Sequence, residues 1–212
     1  MLQTQSVYPA TLALLEKVMA VPSLSQANLV GGTALALYYG HRISVDLDLF
    51  SADTLDLAAV QYDIEQLAIK ENLEWEWDLI EETTLSGSVG GVKIDVIRYR
   101  YPLIDDIIVA NGIRLISIKD IAAMKLSAGA QRGSKKDFYD IYELLQHYSL
   151  TQLLDFFTQK YPKTNTAHIV RSLVYFDDAE LETDPILLRE YTWSAVKVTI
   201  EIAVKKYLSE QV

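Results

Sequence analysis

The chain contains no cysteine. Disulfides and thiolate metal sites are therefore excluded outright, and a reducing compartment suits the protein. Long apolar runs are also missing: nothing approaches the ~20 consecutive apolar residues that span a bilayer. The first stretch, MLQTQSVYPATLALLEKVMA, has neither a basic start nor a long apolar segment, so no signal peptide is evident. The expectation is a cytoplasmic protein without a membrane partner. Positive charge is scarce as well. Lys and Arg total 19 against 29 Asp and Glu, a net charge of −10. That balance disfavours a protein whose business is coating nucleic acid.

The deficit is unevenly spread. Residues 1–116 hold 7 basic against 16 acidic side chains, a net of −9, whereas residues 117–212 hold 12 against 13, a net of −1. With 212 residues, 50% of them hydrophobic and 23% charged, the chain has the composition of a globular protein of one large or two small domains. We see no repeats or low-complexity segments. The charge asymmetry suggests two pieces with different work.

Local patterning divides the chain at the same place. The spacing predicts a helix over 11–21, a short strand ending at Gly31-Gly32, and a helix from Thr33 to about His41. Residues 43–50 alternate as a strand, with Val45, Leu47 and Leu49 on one face and Asp46, Asp48 and Phe50 on the other. Helical spacing returns in LDLAAVQYDIEQLAIKEN. Trp75, Trp77 and Leu79 alternate toward a turn at Gly90-Gly91, and Asn111-Gly112 marks a second hairpin. After Ser117 the pattern is helical to the end. Ser117 with Asp120, and Ser134 with Asp137, have the spacing of helix-starting caps, and further helices fit 150–160, 166–176 and about 189–208. The expected fold is α+β: a mixed sheet with flanking helices over 1–116, followed by an all-α region over 117–212.

The chemistry centres on GHRISVDLDLF. Residues two apart on a strand point the same way, with Cα atoms roughly 6.5–7 Å apart, so Asp46 and Asp48 can converge on one divalent ion. Magnesium takes few protein oxygens because it keeps waters and uses substrate phosphates for the rest. A calcium loop starting at Asp46 would need Gly at position 6 and Glu at position 12, where the chain has Ser51 and Leu57. A solvated polar face is the competing reading of the isolated pair. A third acid, Asp95 in GVKIDVIRY, shares its face with Lys93, and an unpaired carboxylate on an apolar strand is costly to bury. If its strand lies beside that of Asp46 and Asp48, three carboxylates meet and need a cation. One of them, assigned here as Asp95, then also takes the proton from an attacking hydroxyl.

Gly31-Gly32-Thr33 reads as a tight turn into a helix, where backbone amides and the helix dipole favour a phosphate. No Gly-Lys-Ser/Thr follows, so it is not a Walker loop. In the helical half, Lys125 sits mid-helix among small residues. Arg132, Lys135 and Lys136 follow it and make a local anion-attracting patch in an acidic protein. A solvated helical face explains the same charges, and a cap role explains Asp137 without catalysis.

Together these stretches, over roughly 28–146, resemble the AbiEii/AbiGii-type nucleotidyltransferases of the polymerase-β-like superfamily. The family's Gly-Gly turn, helix and Arg-x-Ser-x-Asp-x-Asp are matched by Gly31, Gly32, Arg42, Ser44, Asp46 and Asp48. Its helical Lys, Arg and basic-Asp pair are matched by Lys125, Arg132 and Lys136-Asp137. The resemblance implies Asp46, Asp48 and Asp95 as catalytic ligands of Mg²⁺ or Mn²⁺. It implies Gly31, Gly32, Thr33, Arg42, Ser44, Lys125, Arg132 and Asp137 as nucleotide-binding. The activity implied is transfer of a nucleoside monophosphate from a nucleoside triphosphate to an acceptor hydroxyl, on tRNA or a small molecule. The setting implied is a toxin–antitoxin or phage-defence system with a cognate antitoxin protein. An antibiotic-type small-molecule nucleotidyltransferase and a nucleotide-binding module without transfer are the competing functions.

Overall fold

Pro9 in the first turn and a Leu14, Leu15 and Val18 stripe define α1 (Pro9–Met19). The computed structural model describes residues 1–53 and 55–211, which fall into two compact units, Met1–Ser117 and Ile118–Val212.

In the first unit α1 is followed by β1 (Asn28–Leu29), α2 (Gly31–Tyr39), β2 (Leu47–Ser51) and α3 (Leu57–Glu71). Strands β3 (Trp75–Ile80), β4 (Thr84–Val89), β5 (Val92–Arg98), β6 (Ile108–Ala110) and β7 (Ile113–Leu115) complete it. The seven strands form one mixed sheet in the order β3-β4-β5-β2-β1-β7-β6. Strand β2 runs parallel to β5 and antiparallel to β1, which itself runs parallel to β7. Central strands carry the core: Leu47, Leu49, Leu85, Ile94 and Val96 are buried, each apolar side chain contributing about 1.5–3 kcal/mol. In α2 the run Ala34 to Leu37 is buried without a gap, so this helix has no wet face over that turn. Asp56 caps α3 by accepting from the Ala58 and Ala59 amides, both at 3.1 Å. Arg114 donates to the carbonyls of Met19, Leu24 and Ala27, each at 2.9 Å, and so ties the segment before β1 to β7.

Both hairpin turns form. Gly90 and Gly91 (φ 57° and 75°) join β4 to β5, and Asn111 and Gly112 (φ 52° and 77°) join β6 to β7. The strand expected from residue 43 begins only at Leu47. Ladder pairing starts at Leu47↔Ile94, and Val45, ahead of it, is exposed instead of joining the apolar face.

The second unit comprises α4 (Ile118–Gln131), α5 (Lys135–Leu145), α6 (Leu150–Lys160), α7 (Thr166–Ser172), α8 (Asp177–Glu180) and α9 (Trp193–Ser209). Helix α4 packs on α5, α6 and α7, and α9 packs on α5 and α6. Ser149 and Gln152 form a reciprocal capping box at the start of α6. Its core includes Ile121, Leu126, Phe138, Ile141, Leu153 and Phe157, all buried. The molecule is α+β, with an all-α C-terminal region. Among the described residues no helix is long and apolar enough to cross a membrane.

Candidate active site

Strand register places the acids. Asp48 pairs with Asp95 across the parallel β2–β5 ladder, and Asp46 precedes β2 by one residue. Neighbouring strands lie about 4.8 Å apart, so the paired carboxylates rise from adjacent backbones. Their flanking residues Leu47, Leu49, Ile94 and Val96 turn into the core, which leaves Asp48 and Asp95 on the opposite face; Asp46, just ahead of the strand, is half-buried like them. Each oxygen of Asp95 has a partner: the Ser86 hydroxyl donates to Oδ1, and Lys93 Nζ lies 2.8 Å from Oδ2. Ser86 stands directly opposite Asp95 in the β4–β5 register, so the geometry follows from the ladder. The hydrogen bond to Asp95 holds the Lys93 ammonium above its ordinary pKa. Burial opposes the shift, and the charges of Asp95, Asp48 and Asp46 add to it. Lys93 is thus bound to Asp95 and lies within the field of Asp48 and Asp46. Among the described residues no three His, Asp or Glu side chains are arranged to hold a metal ion directly.

The turn before α2 is built around the same acid. Gly31 has φ 70°, and a Cβ placed on it would lie 2.1 Å from Asp48 Oδ2. A Cβ on Gly32 would lie 2.4 Å from Arg42 Nη2. The two glycines therefore make room for a carboxylate and a guanidinium of this chain, a reason for them that the sequence pattern did not disclose. The Val30 amide donates to the Asp48 carbonyl at 2.9 Å. The Thr33 hydroxyl donates to the Asp46 carbonyl and shares a 2.9 Å hydrogen bond with Ser44 Oγ. Arg42 and Ser44 are both buried, with Arg42 Nη1 donating to the Ile43 carbonyl at 3.1 Å. Gly31, Gly32, Thr33, Arg42, Ser44, Asp46, Asp48 and Asp95 are thus brought together in the first unit.

In the second unit Lys125, Arg132 and Asp137 converge. Lys125 Nζ lies 3.1 Å from Asp137 Oδ1 and 2.6 Å from Asp140 Oδ2, with all three side chains buried. Arg132 grips Asp137 with Nε (2.7 Å) and Nη2 (3.0 Å), a bidentate fork, and Ser134 Oγ donates to the same carboxylate at 3.1 Å. Burial pushes the Asp137 carboxyl up, but Lys125 and Arg132 outweigh it and bring it down to about 2. Ser134 is the N-cap residue of α5, yet its side chain accepts no capping hydrogen bond, and Asp137 serves the ion cluster. More than half of the Arg132 side chain is exposed, and it lines an open cavity of about 280 Å³ with Gly129, Arg171, Ser172 and Tyr175.

Lys135 departs from the expected anion-attracting patch. It is buried, with Nζ donating to the Glu182 carbonyl at 2.6 Å, 3.3 Å from Asp184, and over the Trp193 ring at 5.2 Å. Sequence reading passed over Asp140 and Ser86. Asp140 lies three residues after Asp137 on one helix face, a spacing that was available as a signal. Ser86 becomes visible only once strand register is known.

Comparison with known proteins gives the class, a nucleotidyltransferase. The chain belongs to the family described as nucleotidyl transferase AbiEii toxin, of type IV toxin–antitoxin systems, whose model matches residues 13–74 and 80–201. It is 37% identical over 200 residues to the uncharacterized protein aq_aa25 of Aquifex aeolicus (strain VF5), covering 92% of this chain and 94% of that protein. Among solved structures it is similar in fold to JHP933 from Helicobacter pylori. The TM-score is 0.57 at 19% identity, over 97% of this chain and 96% of the other.

Proposed function

We propose that this nucleotidyltransferase moves a nucleoside monophosphate from a nucleoside triphosphate to an acceptor hydroxyl, using Mg²⁺ or Mn²⁺, as the toxin of a toxin–antitoxin pair. The observation that carries the reading is the register of Asp48 beside Asp95, with Asp46 two residues upstream of Asp48. The donor chemistry suits a hard divalent cation: Asp48 and Asp95 are carboxylates paired across neighbouring strands, and Asp95 already draws a cationic ammonium from its own chain. Asp46, Asp48 and Asp95 would hold the ion, which when bound supplies the charge that neutralises the triphosphate.

The chain's own groups account for the rest. Asp95 accepts the proton of the acceptor hydroxyl, whose oxygen bonds to the α-phosphorus as the bond to the bridging oxygen breaks and pyrophosphate leaves. The Thr33–Ser44 pair and the Gly31 turn fix Asp46 and Asp48 to the start of α2, so the acids are preorganised. In the helical unit, Arg132 offers an exposed guanidinium to a phosphate, and Asp137 holds it beside the buried Lys125. The antitoxin partner and the toxin role rest on family membership.

The test is incubation with each labelled triphosphate, Mg²⁺, and tRNA or small-molecule acceptors. Label transfer that disappears in Asp46→Ala supports the reading. Nucleotide binding with no transfer to any acceptor would replace it with a binding module.

A further inference from the structure

Lys93 is the one basic residue on β5 whose side chain the structure ties to the acids, and the catalytic reading leaves it without a role. It lies two residues before Asp95 on the same strand face, so both side chains rise together. About half of its side chain remains in water, so the ammonium is tethered by its contacts and not by packing. Asp95 is its direct partner at 2.8 Å, and Asp95 is the register partner of Asp48. Two carboxylates on adjacent strands, with a third two residues upstream, repel one another at this spacing. A cation on Asp95 offsets that repulsion whether or not a metal is bound.

We propose that Lys93 is the resident counter-ion of the acidic face: it positions Asp95 in the metal-free protein and yields its place when a divalent cation binds. The inference rests on the reading of Asp46, Asp48 and Asp95 as a metal platform, and it adds a competitor for that platform built into the chain. Ser86, held opposite Asp95 by the ladder, keeps Oδ1 oriented while Oδ2 is released. The arrangement makes metal affinity a difference between two cations, and Lys93 weakens it. A divalent ion brings two charges against one, so it prevails once its concentration is sufficient. Without Lys93 the same platform would bind the ion more tightly, and Asp95 would lose its direct counter-charge when no ion is bound.

The experiment uses the full chain without nucleotide and titrates Mn²⁺ by calorimetry and by electron paramagnetic resonance. Lys93→Met should bind Mn²⁺ about tenfold more tightly than the parent, the effect of removing one nearby positive charge. Its melting temperature should be lower in chelator and should rise more steeply with Mn²⁺. Lys93→Arg, which keeps the charge, should stay near the parent affinity. Unchanged or weaker Mn²⁺ binding in Lys93→Met would overturn the inference, as would Lys93→Arg behaving like Lys93→Met. Asp46→Asn and Asp48→Asn separate the two levels of the argument. If both bind Mn²⁺ as the parent does, the metal platform itself is wrong, whatever Lys93 does.

Discussion

Asp48 and Asp95 are register partners across the parallel β2–β5 ladder, so two carboxylates from distant parts of the chain stand side by side on one sheet face. A structural role would be better served by apolar or paired side chains there, because adjacent like charges oppose folding. Asp48→Asn should therefore lower nucleotide transfer by at least about a hundredfold, the loss of a charge that stabilises the transition state. Thermal stability should hold or rise slightly. A melt and a transfer assay on the same preparation read both effects, and a variant that melts like the parent and transfers normally would contradict the assignment.

Gly31 carries two constraints where most turn glycines carry one. Its φ of 70° disfavours any side chain by about 1–2 kcal/mol, and a Cβ would also meet Asp48 Oδ2 at 2.1 Å. Gly91 has a similar φ of 75° with nothing within 4 Å of an added Cβ. Gly31→Ala should lose both stability and transfer, whereas Gly91→Ala should lose only the backbone increment. The pair isolates the contribution of Asp48's placement, measured by urea denaturation beside the transfer assay.

Asp137 makes part of the acid stability of the helical unit assignable. Its carboxyl lies at about 2 in the folded chain against an ordinary 3.8. A depressed carboxyl stabilises the fold fully above its unfolded value and loses that contribution as pH falls through the folded one. The window is therefore pH 4 down to about 2, and the contribution about 2 kcal/mol. Urea unfolding across that range should lose this increment in the parent chain. The curve of Asp137→Asn should lack it, although that variant starts lower at every pH because Lys125 is left with one partner fewer.

Lys160 and Asp120 form a second buried ion pair, at 2.6 Å with both side chains closed to solvent. Removing one partner strands the other, so Lys160→Met should cost about 3–5 kcal/mol. The double variant Asp120→Leu with Lys160→Met should recover most of that loss. Nucleotide affinity should follow the fraction folded and nothing else, which equilibrium unfolding and nucleotide titration test together.

The parts of the fold legible in the sequence are those set by local chemistry. Asn111-Gly112 supplied two residues tolerant of positive φ, and the tight turn between β6 and β7 formed there. The alternation gave the correct faces from Leu47 onward, because period two follows from the pleat, but not at Val45, which lies ahead of the strand and is exposed. It did not give the start of β2, since Ser44 bridges to Val7 and Arg42 is buried against the α2 turn before the ladder with β5 begins. Of the site, the acids and glycines could be read, but their mutual packing could not. Asp48 over Gly31 and Ser86 on Asp95 depend on register, which no short window encodes. Long-range ion pairs were hidden for the same reason: Lys160 with Asp120, and Glu143 with Arg189 at 2.9 Å, connect residues that no periodicity links. Charge counting failed at Lys135 because a count carries no information on burial.

The central claim, nucleotidyl transfer at the Asp46, Asp48 and Asp95 face, is tested most directly by the fate of two labels. The chain is given Mg²⁺, an acceptor pool, and a nucleoside triphosphate labelled either at the α- or at the γ-phosphorus. The account predicts α-label on the acceptor and γ-label in pyrophosphate, both abolished in Asp46→Ala and Asp48→Ala. Label from the γ-position on the acceptor, or α-transfer undiminished in those variants, would contradict it.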